Sequence, residues 1–180
     1  MDVLCFSGLM AAALAKNHGC YVASTSRSAK SRDLILSSGA EKFILDDGKI
    51  ASTLKRPSDK FDKVLELVGI TTLKDSLQCC TGGNERDKPL GVVTMTGIAG
   101  GSWTMDGFYP MMDVPMGVSF TTYSGGGDEM RKTPFEQIVK DVEEGRLKVP
   151  VGKTLKLDEV VEAHRMMEHG GAGGKMVLLM

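Results

Sequence analysis

The chain has 180 residues, with 22 Lys and Arg against 23 Asp and Glu and a formal net charge of −1. Such a length suits one domain with a buried core and excludes a disulfide-stapled miniprotein. The cancelled charge excludes a generic polyanion binder, so neither nucleic acid nor a membrane surface is an expected partner. Glycine is the outlier, 22 of 180 residues or about 12%, against ordinary usage of about 7%. No fixed period links these glycines, which predicts tight turns and close backbone approaches.

The four cysteines, Cys5, Cys20, Cys79 and Cys80, form no disulfide framework, because adjacent Cys79 and Cys80 would strain a bridge. They are expected to be reduced and buried. The N-terminal apolar stretch lacks the cationic start of a signal peptide and the ~18 apolar residues of a membrane span, so the expected setting is cytoplasmic.

In chain order, residues 2–6 read as a short apolar strand. Gly8 then opens a helix in which Leu9, Ala12, Ala13 and Lys16 follow helical spacing up to a cap at Gly19. Residues 20–25 are strand-like, 29–38 are helix-like with Leu34 and Ile35 inward and a stop at Gly39, and 42–45 form a third strand. A weaker helix over 49–55 ends before Pro57. The run FDKVLELV predicts a buried strand, followed by a helix over 72–80, the hydrophilic stretch TGGNERDKPLG, and a strand over 92–98 running into Gly97, Gly100 and Gly101. Residues 108–115 resist assignment, 118–123 alternate as a strand, and Gly125, Gly126 and Gly127 predict a loop. Phe135, Ile138, Val139 and Val142 mark one face of a helix entered at Pro134 and left at Gly145. Residues 155–157 read as a short extended piece. Asp158 is the expected N-cap of a helix that carries Val160, Val161 and Met167 and exits at Gly170, and residues 175–179 close as a strand.

Strands separated by helices and joined by glycine turns argue for an α/β fold, a doubly wound parallel sheet with helices on both faces. No internal repeat or domain boundary divides residues 1–180, which predicts a single domain. In such sheets ligands bind beyond the carboxyl ends of the strands. The chemistry is therefore expected in the turns after Phe6, Thr25, Val68 and Gly97.

A dinucleotide needs a glycine turn that lets backbone N–H groups reach its pyrophosphate. Only Gly8 stands between the first strand and helix, where the fingerprint G-x-G-x-x-G has three glycines, and taken alone Gly8 is better accounted for by close helix packing. After the second strand an acid would suit the ribose of NAD, whereas cations suit the extra phosphate of NADP. This sequence has Thr25, Ser26, Arg27 and Ser28, then Lys30 and Arg32, with no acid. Arg27 and Ser28 are the best phosphate contacts, the alternative being a solvated basic start to a surface helix. Neither the cysteines nor His18, His164 and His169 form a CxxC pair or an HExxH helix, so no metal is expected. Trp103, Phe108 and Tyr109, with Met105, Met111 and Met112, line an apolar pocket or pack against a second subunit, which makes a homodimer an expected partner.

The run GCYVASTSRSAKSRDLILSSGAEKFILDDG, the segment FDKVLELVG followed by TLKDSL, and the piece VVTMTGIAGGSWTMDGFYPM resemble the cofactor domain of medium-chain dehydrogenases/reductases. The zinc-independent quinone oxidoreductase branch is the nearest likeness. The ending GRLKVPVGKTLKLDEVVEAHRMMEHGGAGGKMVLLM is similar to that family's C-terminal segment, here residues 146–180. The resemblance implies a Rossmann domain and NADPH-dependent reduction of a quinone or other carbonyl or enone substrate. It implies that Gly8 ends the pyrophosphate turn and that Arg27 and Ser28 lie against the adenosine 2′-phosphate, with Lys30 or Arg32 as a second cation. It further implies that Val68 and Gly69 follow the strand under the cofactor, that Gly97 and Ile98 flank the nicotinamide, and that Lys175 approaches from the C-terminal strand. Three departures accompany it: the family's N-terminal GroES-like barrel is missing, the glycine turn between Phe6 and Gly8 is short, and NERDKPL interrupts the run into VVTMTG.

The expected function is thus an NADPH-dependent oxidoreductase of quinone or enone reductase ancestry, truncated and weak or inactive alone. The alternative is a catalytically inactive nucleotide-binding or dimerisation module. Tyr109 and Tyr123 are the candidate proton donors, with solvent as the other source.

Overall fold

A computed structural model describes residues 6–82, 90–169 and 173–180. In chain order the main elements are α1 (Phe6–Asn17), β1 (Ala23–Ser26), α2 (Arg32–Ser37), β2 (Lys42–Leu45), β3 (Lys63–Glu66), α3 (Ile70–Cys79) and β4 (Gly91–Met95). They continue with α4 (Pro110–Asp113), β5 (Val118–Thr122), α5 (Gly127–Lys132), α6 (Phe135–Glu143), β6 (Val151–Lys156), α7 (Val160–Glu168) and β7 (Lys175–Leu179). Every strand pairing is parallel, in three sheets: β1 with β2, β3-β4-β5 in that order, and β6 with β7. This is an α/β, Rossmann-like arrangement of parallel strands. No described helix is long and apolar enough to cross a membrane.

The chain divides into two compact units, Met1–Asp46 with Thr133–Met180, and Asp47–Lys132. In the first, Leu9, Ile35 and Ala40 form a buried cluster with Val22, Leu34 and Phe43 packed against it. Leu9 and Ala12 lie three apart on the buried side of α1, as the helical spacing requires. The chain leaves α1 at Gly19, whose φ is +78°. In the second unit, Leu73 and Leu77 on α3 meet Val93, at the centre of β4, and Cys80. Leu77, Val93 and Cys80 are fully buried, and removing a Leu or Val side chain from water contributes about 1.5–3 kcal/mol. β4 has a neighbour on each side, registered Val93 to Val64 and Val93 to Phe120, so its backbone is satisfied on both edges.

Several expectations change. The strand expected over 2–6 lies outside the described residues except for Phe6, which opens α1, so Gly8 is inside the first helical turn. NERDKPL and Gly170 also lie outside, apart from Leu90. The helix expected over 49–55 is a single 3-10 turn, Ile50–Thr53, whose Ala51 N–H donates to the Asp75 carboxylate at 3.2 Å. A short helix, α4, occupies the unassigned stretch. Where the glycine triplet predicts a loop, α5 begins at the third glycine, with Asp128 and Glu129 in its first turn and Arg131 and Lys132 in its last, the charge order that suits a helix dipole.

Asp158 is not the N-cap of α7. It sits inside a 3-10 turn, and Glu159 occupies that position while its carboxylate accepts the Lys156 N–H at 2.8 Å. The inward stripe of α7 runs through Ala163, with Val161 68% and Met167 59% exposed, because Ala163 and the half-buried Val160 and Met166 repeat at three-residue spacing. The apolar face of α6 forms as a helix but stays open, Phe135 and Val139 being about half exposed. Cys79 and Cys80 are buried thiols, whereas Cys20 is exposed.

Candidate functional site

In the second unit the turns that leave β3 and β4 interlock. Parallel strands release their chains on the same side of the sheet, and here both exits are glycine turns. A Cβ on Gly97 would stand 2.1 Å from the Leu67 carbonyl oxygen, and one on Gly69 would meet the Gly97 oxygen at 3.0 Å and Ile98 Cα at 3.2 Å. Gly69 also has φ +104°, a region that L side chains rarely adopt. The two turns are tied by hydrogen bonds from Thr96 N–H to the Glu66 carbonyl (2.9 Å) and from Gly100 N–H to the Val68 carbonyl (2.7 Å). The Val68 side chain remains 38% exposed. Val68, Gly69, Gly97 and Ile98 are therefore brought together on one surface.

In the first unit, β1 ends in a polar turn. Ser28 N–H donates to Ser26 Oγ at 3.1 Å, and Ser28 Oγ accepts the Lys30 N–H at 3.3 Å, capping the 3-10 turn Ala29–Ser31. Arg27, Lys30 and Arg32 are exposed. The Arg32 guanidinium stacks 5.7 Å from the Phe43 ring centre, so it is partly committed to that face. Lys175 opens β7, and its ammonium lies 5.2 Å over the Phe6 ring, two residues before Gly8.

The candidate proton donors sit in the second unit. Tyr123 follows β5 and donates its N–H to the Met95 carbonyl at 2.9 Å, with its ring 51% exposed. Tyr109 is 66% exposed and its N–H donates to Asp113 at 2.7 Å. That bond, followed by the one from Lys74, holds the Asp113 carboxyl below the usual carboxylate range. Trp103, Met111 and Met112 are 81%, 94% and 80% exposed, whereas Met105 and Phe108 pack on the core.

A scan against family models matches residues 38–178 to the zinc-binding dehydrogenase family. The chain belongs to that family. No curated protein sequence matches the chain. Among solved structures, Escherichia coli quinone oxidoreductase complexed with NADPH is similar with a TM-score of 0.74 at 22% identity, over 96% of this chain and 53% of that one. Pseudomonas syringae quinone oxidoreductase is similar with a TM-score of 0.75 at 21% identity, over 96% and 53%. A Bacillus subtilis protein with NAD bound gives 0.71 at 20% identity, over 96% and 50%. The chain thus spans about half the length of these structures and corresponds to the cofactor-domain portion of the medium-chain dehydrogenase/reductase fold.

Within this zinc-binding dehydrogenase chain, no described group of three or more His, Cys, Asp or Glu side chains is placed to hold a metal ion. Two cavities, of about 570 and 490 Å3, open along α6, and none of the expected cofactor residues lines either. The second holds Asp141, whose carboxyl is lowered first by the Arg146 hydrogen bond and then by that of Gln137.

One residue of the interlocked turns escaped the sequence reading. Glu66, 4% exposed, lies inside the run FDKVLELV and was absorbed into an apolar strand. An acid at an inward-facing position of such a strand was the available signal, because a buried carboxylate must find donors.

Proposed function

We propose that this chain is the nucleotide-binding portion of an NADPH-dependent oxidoreductase acting on a quinone or enone. The interlocked glycine turns carry the reading: Gly69 and Gly97 let the two chains close on each other at the carboxyl ends of parallel β3 and β4, which sets the exposed Val68 next to the Gly97–Ile98 turn, where a flat ring can lie. The residues fit a nicotinamide dinucleotide. In the second unit those four residues form the nicotinamide subsite, and in the first Arg27 and Ser28, with Lys30 and Arg32 near them, form the 2′-phosphate subsite, while Gly8 and Lys175 serve the pyrophosphate end. Bound there, the cofactor supplies a hydride. The chain's own work is to orient the ring and keep water from one face of it. Tyr109, Tyr123 or solvent returns the proton. No step uses zinc.

A second reading, a module that binds the nucleotide without turnover, is favoured by the open apolar side chains of the second unit. In that case the exposed Trp103, Tyr109, Met111 and Met112 serve a second copy of the chain. Calorimetric titration with NADPH and NADH, alongside NADPH oxidation with a panel of quinones and enones, separates the readings. NADPH binding tighter than NADH, with Arg27→Ala weakening NADPH about tenfold and sparing NADH, supports the cofactor assignment, since a charge-assisted bond is worth about 1.5–3 kcal/mol. Turnover then selects the enzyme, binding alone selects the module, and the absence of NADPH binding rejects both.

A further inference from the structure

Glu66 ends β3 and is almost wholly buried, 4% exposed. Its partners are backbone amides and a hydroxyl. Oε1 accepts the Val68 N–H at 2.7 Å and the Gly69 N–H at 3.0 Å, while Oε2 accepts a short hydrogen bond from Ser76 Oγ, ten residues on. The carboxylate therefore stands at the positive end of α3, where negative charge is favoured and unpaired N–H groups need acceptors. Its main-chain carbonyl accepts the Thr96 N–H at 2.9 Å, at the exit of β4. One residue thus grips the first turn with its side chain and the second with its backbone.

Gly69 has no side chain to fix its own conformation, and its φ of +104° is one of many a glycine can visit. The hydrogen bond to Glu66 selects it. In that conformation Gly69 packs against the Gly97–Ile98 backbone, and the Val68 carbonyl accepts the Gly100 N–H at 2.7 Å. Glu66 touches no ring itself, because both carboxylate oxygens are already engaged. We propose that Glu66, anchored by Ser76, is a positioning residue that sets the nicotinamide subsite by locking the Val68–Gly69 turn against Gly97 and Ile98. This rests on the cofactor reading above and adds the residue that shapes one end of it.

The test compares two probes on the full chain by calorimetry. NADPH carries the nicotinamide, and 2′-phospho-ADP-ribose lacks it. Glu66→Ala is expected to weaken NADPH about tenfold, a change equivalent to ~1.4 kcal/mol, and to leave 2′-phospho-ADP-ribose unchanged. Glu66→Gln, which keeps one acceptor oxygen, is expected to recover most of the loss. Amide hydrogen exchange at Val68, Gly69 and Gly100 should quicken in the Ala variant and not in the Gln variant. Should Glu66→Ala not fold by circular dichroism, Ser76→Ala, which keeps the carboxylate and removes its anchor, carries the same comparison. If the unsubstituted chain binds neither probe, the cofactor reading fails and the proposal with it. If it binds both and the variants weaken both alike, only the role of Glu66 is overturned.

Discussion

Replacing Gly97 by Ala adds one methyl group at a point where the structure has no space for it. The new Cβ would lie 2.1 Å from the Leu67 oxygen, 2.8 Å from its carbonyl carbon and 2.9 Å from its Cα, far inside the ~3.5 Å at which such atoms are comfortable. All three are backbone atoms, so no rotamer change relieves the clash and the two turns must part. Overpacking of this kind costs about 1–3 kcal/mol. Parting the turns also stretches the 2.7 Å bond from Gly100 to Val68, worth about 1 kcal/mol. The expected loss is ~3 kcal/mol, which for a urea m-value of ~2 kcal/mol per molar moves the unfolding midpoint down by ~1.5 M. Gly101→Ala is the internal control. It has φ +74° but nothing within 4 Å of a new Cβ, so it bears only the left-handed penalty of about 1 kcal/mol and a shift of ~0.5 M. Urea titration followed by circular dichroism reads both. Equal shifts for the two variants, or a Gly97→Ala midpoint indistinguishable from the parent, would refute the interlocked-turn account.

Leu77→Ala, at a fully buried position of α3, is expected to lose about 2–5 kcal/mol of stability in the same titration. The carboxyl of Asp113 is lowered by the Tyr109 amide and by Lys74, so its stabilising contribution is complete above the ordinary value of 3.8 and fades as pH falls below it. Melting curves across that range should show a shallower acid limb for Asp113→Asn than for the parent. Thiol mapping with an aromatic disulfide reagent should label Cys20 under native conditions and reach Cys79 and Cys80 only in denaturant. Burial also raises the Cys80 thiol above its usual range, which suppresses its thiolate further.

Strands β2 and β7 were legible to the residue, because short runs of branched side chains between turn residues leave little choice of boundary. α3, expected over 72–80, spans Ile70–Cys79 and buries Leu73 and Leu77. α5 was not: three glycines outweighed the acid-first, base-last order of GDEMRK, although the charge order decides the structure there. Asp158 lost its place to Glu159 because a 3-10 turn precedes α7, and its capping contact runs back to Lys156. The turns after Val68 and Gly97 follow from the strand pattern of a parallel sheet, whereas the cofactor roles of Val68, Gly69, Gly97 and Ile98 come from the family resemblance. Their meeting depends on the parallel register of β3 with β4, Glu66 opposite Met95, and register between strands so distant in sequence leaves no local trace. Glu66 itself was hidden by its neighbours, since a hydrophobic run conceals a single acid unless its donors are known.

The division of the chain into one continuous unit, Asp47–Lys132, and one assembled from both ends imposes an order on synthesis. Chains leave the ribosome N-terminus first and fold by units as they emerge. The helix and strands up to Asp46 can gather around Leu9 and Ile35 early, and the continuous unit can close on itself next. The first unit stays unfinished until Thr133 onward has been made, so its open surface persists while the whole of Asp47–Lys132 is synthesised. A ribosome that stalls just past Lys132 therefore carries one closed unit and one incomplete one.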